Sequence, residues 1–273
     1  MSEDTIVRAS SLPSYADCAL RYAADNLRAE ISALGYDLRH LPTGIAAANG
    51  TAVHAGAAHI LRAKIETGEY GDLADAAEIA HASLADSADK DEIAYDALTP
   101  TMNAAEQQVL RQTRAYHEHV APTLEPVAVE RELRARIKPG FLLVGHLDVA
   151  APLDLNDTKT GRVSRNHAGQ LGAYALLERT HRRKANRLFV NFVQRVPMNK
   201  PQPRPVLEEY DAARAERVAT RTIKRIVDDI ETLRRTGEPE AAFLPNPSSM
   251  LCSDKWCRAW GTQLCSAWRR KDS

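Results

Sequence analysis

Phe141-Leu142-Leu143-Val144-Gly145-His146-Leu147-Asp148, followed shortly by Asp157-Thr158-Lys159, is the stretch that decides how this chain reads. An apolar run ends on Asp148, and Pro152 and Asp154 in the interval suit a turn. Folded into an antiparallel hairpin, the two runs bring Asp148 beside Asp157. Asp157 and Lys159 are two apart and point to one face of a strand. Two carboxylates and one ammonium then converge on one spot. Hard oxygen ligands suit a small divalent cation such as Mg2+ or Mn2+. A neighbouring lysine suits an anionic substrate and a developing negative charge. This is chemistry for metal-assisted phosphodiester hydrolysis. By itself, Asp-x-Lys is a common string that marks a solvated strand end with an ordinary ion pair. What lies in order on either side therefore matters.

Downstream, Thr160-Gly161 suits a strand-to-helix turn, and Ala168 to Leu177 reads as a helix. Gln170 and Tyr174 are four apart and share one face of it. That face can look back at the Asp-x-Lys strand. A glutamine there can bond a phosphate or a base edge, and a tyrosine can donate its hydroxyl or stack on a base. Upstream, Gly50-Thr51-Ala52-Val53-His54 opens a helix running to about Ile65, with Val53, Ala57, Ile60 and Leu61 at helical spacing. His54 sits beside that stripe. It is either a hydrogen-bonded core histidine or, with two carboxylates nearby, a neutral imidazole for a metal.

The order His54, Glu130, Asp148, Asp157-Thr158-Lys159, Gln170, Tyr174 resembles the PD-(D/E)XK nuclease superfamily. More narrowly it resembles the RecB-type branch, which includes the AddB nuclease domain and the CRISPR-associated exonucleases that bear an iron–sulfur cluster. The branch pattern is a helical His, then G-x-x-D, (D/E)-x-K and Q-x-x-x-Y. The matching positions are Gly50 to His54, Gly145 to Asp148, Asp157 to Lys159, and Gln170 to Tyr174. Pro13-Ser14-Tyr15-Ala16-Asp17-Cys18-Ala19-Leu20-Arg21-Tyr22 resembles the family's opening S-x-x-x-C-P-x-x-[FY] helix, with Ala19 in place of the proline. The resemblance implies an α/β fold: a small mixed sheet of the restriction-endonuclease-like type, wrapped by helices. It implies Asp148 and Asp157 as ligands of Mg2+ or Mn2+ and His54 as a further ligand. Lys159 would orient water or stabilise phosphorane-like charge, Gln170 and Tyr174 would position the strand, and Glu130 would be a further catalytic carboxylate. The implied activity is a DNA exonuclease on single strands or DNA ends, in replication, recombination or repair. A structure-specific endonuclease and a non-catalytic DNA-binding partner of a helicase are the alternatives on the same fold.

The four cysteines are Cys18, Cys252, Cys257 and Cys265. Met1-Ser2-Glu3-Asp4 starts acidic, without the apolar core of a secretory signal, and no run is long enough to span a bilayer. The expected compartment is the reducing cytoplasm, where grouped cysteines more often bind metal than form disulfides. Four thiolates can hold a [4Fe–4S] cluster or a tetrahedral zinc. The cluster-bearing RecB-type relatives have one N-terminal and three C-terminal cysteines, as here, so the resemblance implies the iron–sulfur cluster. It also implies a C-terminal cysteine tail tied to the N-terminal helix. The gaps Cys252-x4-Cys257 and Cys257-x7-Cys265 are longer than the family's C-x-x-C.

The 273 residues carry zero formal net charge, so no global basic field advertises nucleic acid. Local runs do exist: Arg179, Arg182, Arg183, Lys184 and Arg187; Arg131, Arg134 and Arg136; Arg258, Arg269, Arg270 and Lys271. Such runs are solvated faces or, near one site, a track for a phosphate backbone. We read one domain, 1–273: a mainly helical part to about 120, an α/β core at about 121–195, and a long helix with the cysteine tail at about 206–273. Helices are expected at 12–35, 51–66, 72–86, 101–119 and 206–236, with a loop at 41–49. Strands are expected at 127–137, 141–150, 153–159 and 187–193. No G-x-x-x-x-G-K-[ST] is present, so no P-loop motor is evident. The expected partners are DNA, a separate helicase or recombinase, and further copies of the chain in a homo-oligomer.

Overall fold

A computed structural model of the chain describes residues 4–267. Met1-Ser2-Glu3 and the tail residues Trp268, Arg269, Arg270 and Lys271 lie outside the described residues. The chain opens with β1 (Thr5–Arg8) and three short helices, α1 (Leu12–Asp17), α2 (Ala19–Asn26) and α3 (Arg28–Ala33). A helical block follows: β2 (Thr43–Gly44), α4 (Ile45–Thr67), α5 (Leu73–Lys90), β3 (Ile93–Ala94) and α6 (Met102–His119). The sheet is then built from β4 (Ala128–Lys138), β5 (Phe141–Ala150) and β6 (Asp154–Lys159). After α7 (Ala168–Thr180) come β7 (Arg187–Phe192), β8 (Val206–Tyr210), α8 (Ala212–Thr236) and α9 (Pro239–Ala242).

β5 organises the sheet. It pairs antiparallel with β4 along its length. β1 lies parallel to its first half, Thr5 opposite Phe141, and β6 lies antiparallel to its end, Val149 opposite Asn156. β6 and β7 run parallel, with α7 as the crossover that a parallel pair requires. β8 then pairs antiparallel with β7. The result is a mixed sheet wrapped by helices, as expected from the sequence.

The main core joins Leu143 and Leu147 of β5 to Leu171 and Leu177 of α7 and to Ile223, Ile226 and Ile230 of α8. α8 is charged overall, but Ala215, Ala219, Ile223, Ile226, Ile230 and Leu233 recur on one helical face and are buried. Ile45, Val53, Leu84 and Val109 make a separate apolar set within the helical block. Ile60, Leu61 and Tyr116 join that block to Val149 and Val193 of the sheet region. Two glycines permit the close crossings. A Cβ at Gly145 would stand 2.6 Å from Leu177 Cδ1 and 2.9 Å from Tyr174 Cδ1, and one at Gly172 would meet the Ala215 carbonyl. Among the described residues no helix is long and apolar enough to cross a membrane.

Three expectations differ from the structure. The helix expected at 12–35 is broken at Cys18, whose backbone is extended at φ −154° and ψ 108°. The Asp17 carbonyl left open there accepts from Asn246 Nδ2 at 2.8 Å. α4 starts at Ile45, inside the expected loop, and Gly50 lies within the helix. Finally, the expected 206–236 helix begins only at Ala212, where the Asp211 carboxylate accepts from Arg214 N at 2.6 Å as an N-cap. Val206–Tyr210 instead pairs with β7, which would otherwise be an open edge. β1 was not expected at all.

Candidate active site

Strand register sets three carboxylates in a row. Val129 opposite Val149 and Arg131 opposite Leu147 place Glu130 opposite Asp148. Val149 opposite Asn156 places Asp148 opposite Asp157. Neighbouring strands lie about 4.8 Å apart, so the three acids crowd together on β4, β5 and β6. Glu130 has φ +50°, a left-handed backbone uncommon outside glycine. His54 of α4 closes the row, with Nδ1 at 3.4 Å from Asp148 Oδ2 and 3.9 Å from Glu130 Oε1. One ligand atom each from His54, Glu130 and Asp148 lies within 4.8 Å of the others.

Asp157 is the most buried acid of the row, 2% exposed. Its Oδ2 stands 2.7 Å from Lys159 Nζ. Its Oδ1 accepts from Gln170 Nε2 at 3.1 Å, and that amide also donates to the Tyr174 hydroxyl at 2.7 Å. Asp148 Oδ2 accepts from Thr158 N at 2.6 Å, which locks the two strand ends together. All the residues expected at the site therefore meet. Glu130, rather than Asp157, completes the tight three-atom group with His54 and Asp148.

The charges differentiate the acids. Burial and the Asp148 carboxylate push Asp157 up to about 6, against the pull of Lys159. Burial also acts to raise Asp148, but the adjoining His54 imidazole outweighs it and holds Asp148 below the usual carboxylate range. Burial acts to lower His54, yet Asp148 and Glu130 drive it up to about 10. The crowded acids thus favour positive charge at their centre, which a proton on His54 or a divalent cation supplies. An oxygen-rich set with one imidazole fits Mg2+ or Mn2+.

Two further groups were not anticipated. Gln112 of α6 is fully buried. Its Nε2 donates to Val193 O at 2.7 Å and to Thr160 O at 3.3 Å, while Val193 N donates to Lys159 O at 2.8 Å. Gln112 thereby holds the strand ends that present Lys159. The sequence signal was Gln108 and Gln112, four apart within the buried stripe of α6. His146, inside the G-x-x-D motif, lies 3.2 Å from Glu130 through Nε2.

Many residues of the basic runs take part in ion pairs. Arg131 and Arg183 pair with Glu178, Arg134 with Glu132, Arg136 with Asp4, Arg179 with Glu216 and Arg187 with Asp154. Most of these cations serve internal pairs. The cysteines do converge: Cys18, Cys252, Cys257 and Cys265 all line one small cavity beside Pro245 and Asn246. None forms a disulfide, and burial pushes the Cys257 thiol up to about 11.

The family model of the PD-(D/E)XK nuclease superfamily matches residues 8–262. The chain belongs to this superfamily. Membership makes it a nuclease-type hydrolase with DNA as its substrate. Among solved structures, the nuclease resembles a "Putative exonuclease" from Eubacterium rectale at 11% identity and TM-score 0.40, over 82% of this chain and 89% of that one. It also resembles the protein SSO0001 at 14% identity and TM-score 0.27, over 72% and 83% of the two chains. No curated protein matches the sequence.

Proposed function

We propose that the protein is a Mg2+- or Mn2+-dependent DNA exonuclease of the RecB-type branch. It acts on single strands or DNA ends in replication, recombination or repair, beside a separate helicase or recombinase or within a homo-oligomer. The observation that carries this reading is the row Glu130, Asp148 and Asp157 across three adjacent strands, closed by His54 and flanked by Lys159.

In this reading His54, Asp148 and Asp157, with Glu130, hold the cation. A bound divalent cation supplies Lewis-acid polarisation of a phosphoryl oxygen and makes water more acidic. Lys159 is fixed by Asp157 at 2.7 Å, where its ammonium orients the attacking water or meets charge gathering on the phosphate. Gln170 holds Asp157 in the orientation that Lys159 needs, and Tyr174 holds Gln170. Gly145 leaves the space through which Tyr174 approaches β5.

The test is degradation of end-labelled linear single-stranded DNA in Mn2+, with Lys159→Ala alongside. Wild type should degrade the DNA, and the variant should lose at least about 100-fold in rate, the scale of one transition-state donor, while keeping its fold. Equal cleavage by both would remove Lys159 from the site. Cutting of a circular single strand would replace the exonuclease by an endonuclease on the same scaffold.

To the cysteine cavity we assign a [4Fe–4S] cluster. Four thiols around one cavity support it. Iron and acid-labile sulfide in anaerobically purified protein are the expected result. Stoichiometric zinc without iron would overturn the assignment.

A further inference from the structure

The indole of Trp256 offers chemistry that the carboxylate row does not use. Trp256 lies in the tail between Cys252 and Cys257 and is 43% exposed. The Lys255 ammonium sits over its ring, 4.9 Å from the centroid. The ring rests against the start of α4, where its Cζ3 stands 3.9 Å from a Cβ built at Gly44. This stretch of tail is pinned in place. Arg39 Nη1 donates to Asp254 O at 3.0 Å, Arg258 Nη1 donates to Arg39 O at 3.0 Å, and Arg39 N donates to Arg258 O at 3.0 Å. Arg258 also pairs with Asp25 at 3.4 Å. Lys255 is therefore the cation poised at the ring.

α4 connects this patch to the active site. The helix starts at Ile45, meets Thr160 at Gly50, where a Cβ would stand 3.0 Å from Thr160 Oγ1, and carries His54. At about 1.5 Å per residue, Gly44 and His54 are roughly 15 Å apart along the axis, a few nucleotides of extended strand. Ala47 and Thr51 are the exposed positions between them, Gly50 is half-buried, and all are small. A chain lying along α4 can therefore approach its backbone closely.

We propose that Trp256 is a stacking platform for one base of a single-stranded DNA whose scissile phosphate lies at the carboxylate row, with Lys255 meeting the adjoining phosphate. The inference rests on the nuclease reading of that row. An incoming base displaces the ammonium from the ring face, and the ammonium moves to the phosphate beside it. Stacking replaces the cation–π contact, and an ion pair is added. Every base has a π-face, so the contact is indifferent to sequence. It does require an unstacked base, which a duplex interior does not present. The tail thus links the cysteine centre to substrate grip.

The test measures binding in the Lys159→Ala background, so that DNA is not consumed. The probe is a fluorescein-labelled oligothymidylate long enough to span Trp256 and the row, read by anisotropy. Adding Trp256→Ala should raise Kd about tenfold, within the range for loss of one stacked base. Trp256→Phe should restore most of the affinity, and Lys255→Ala should flatten the salt dependence of binding. The oligonucleotide should quench tryptophan emission less in Trp256→Phe than in its parent. Unchanged Kd in Trp256→Ala, or Trp256→Phe as weak as Trp256→Ala with an intact melting transition, would overturn the platform. Cleavage by wild type is scored separately. Trp256-dependent binding without any cleavage would sink the nuclease reading and keep the platform; cleavage with Trp256-independent binding would do the reverse.

Discussion

Glu130 shows how much the site demands of one residue. Its left-handed backbone costs a non-glycine side chain about 1 kcal/mol or more. The conformation falls within β4, at the position opposite Asp148, and it sets the carboxylate 3.9 Å from His54. Glycine would adopt that backbone without strain. Glu130→Gly should therefore melt no earlier than wild type, yet bind Mn2+ at least about tenfold more weakly, the lower bound set by loss of an outer partner. Calorimetric titration of Mn2+ checks this, and equal affinity would remove Glu130 from the ligand set. The identity of the acid was legible through the order of motifs. Its twisted backbone was not, because φ at one residue depends on how β4 pairs with β5 around it.

At the scale of elements, α6 acts as the brace of the sheet. Gln112 satisfies the carbonyls of Thr160 and Val193, just beyond β6 and β7. Gln112→Leu keeps the volume and leaves those buried carbonyls without their donor, at a cost of about 1–3 kcal/mol. We expect kcat to fall more than KM rises, with Mn2+ affinity retained, because Lys159 loosens while the His54 group does not. A parallel loss of Mn2+ binding would show a general collapse instead. Nearby, Arg195 is 4% exposed and paired with Asp96 at 2.6 Å. Asp96→Ala strands that cation and should cost about 3 kcal/mol in urea denaturation. Burial acts to raise Asp96, but its hydrogen bonds and ion pair with Arg195 prevail and lower its pKa in the fold. Its contribution is therefore complete above the unfolded carboxylate pKa of about 4 and is lost as pH falls through the lowered folded value. Wild type should lose more stability than Asp96→Ala between about pH 5 and pH 3. Parallel curves would refute the coupling. Most helices and the strands β4 to β7 were readable from periodicity. β8 and the break at Cys18 were not, since pairing with β7 and the Asn246 contact override local preference there.

For the whole molecule, the tail closes the chain onto its own beginning. Asn246 N donates to Cys18 Sγ at 3.3 Å, and Ser249 Oγ donates to the Asp17 carboxylate at 2.7 Å. The proposed centre at Cys18, Cys252, Cys257 and Cys265 would add a covalent staple across that contact. Cys257→Ser should lower the melting temperature by several degrees or more and open the tail to proteolysis. Its Mn2+ affinity at the His54 group should stay within about twofold, because additivity holds for separate sites. Loss of Mn2+ binding together with the tail would mean that the two centres fold as one.

What the sequence alone determined is which residues stand where and in what order: the acids, the lysine, the glutamine–tyrosine pair, the four thiols and the mixed α/β fold. The elements follow from local periodicity, and the candidate residues from the order of motifs that resembles the superfamily. Tertiary structure alone decided the rest: Glu130 joining His54 and Asp148, Gln112 bracing Lys159, the arginines spent on internal pairs, and Trp256 set at the head of α4. Each of these depends on contacts between segments far apart in the chain, where register and packing, not neighbouring residues, set the distance between groups.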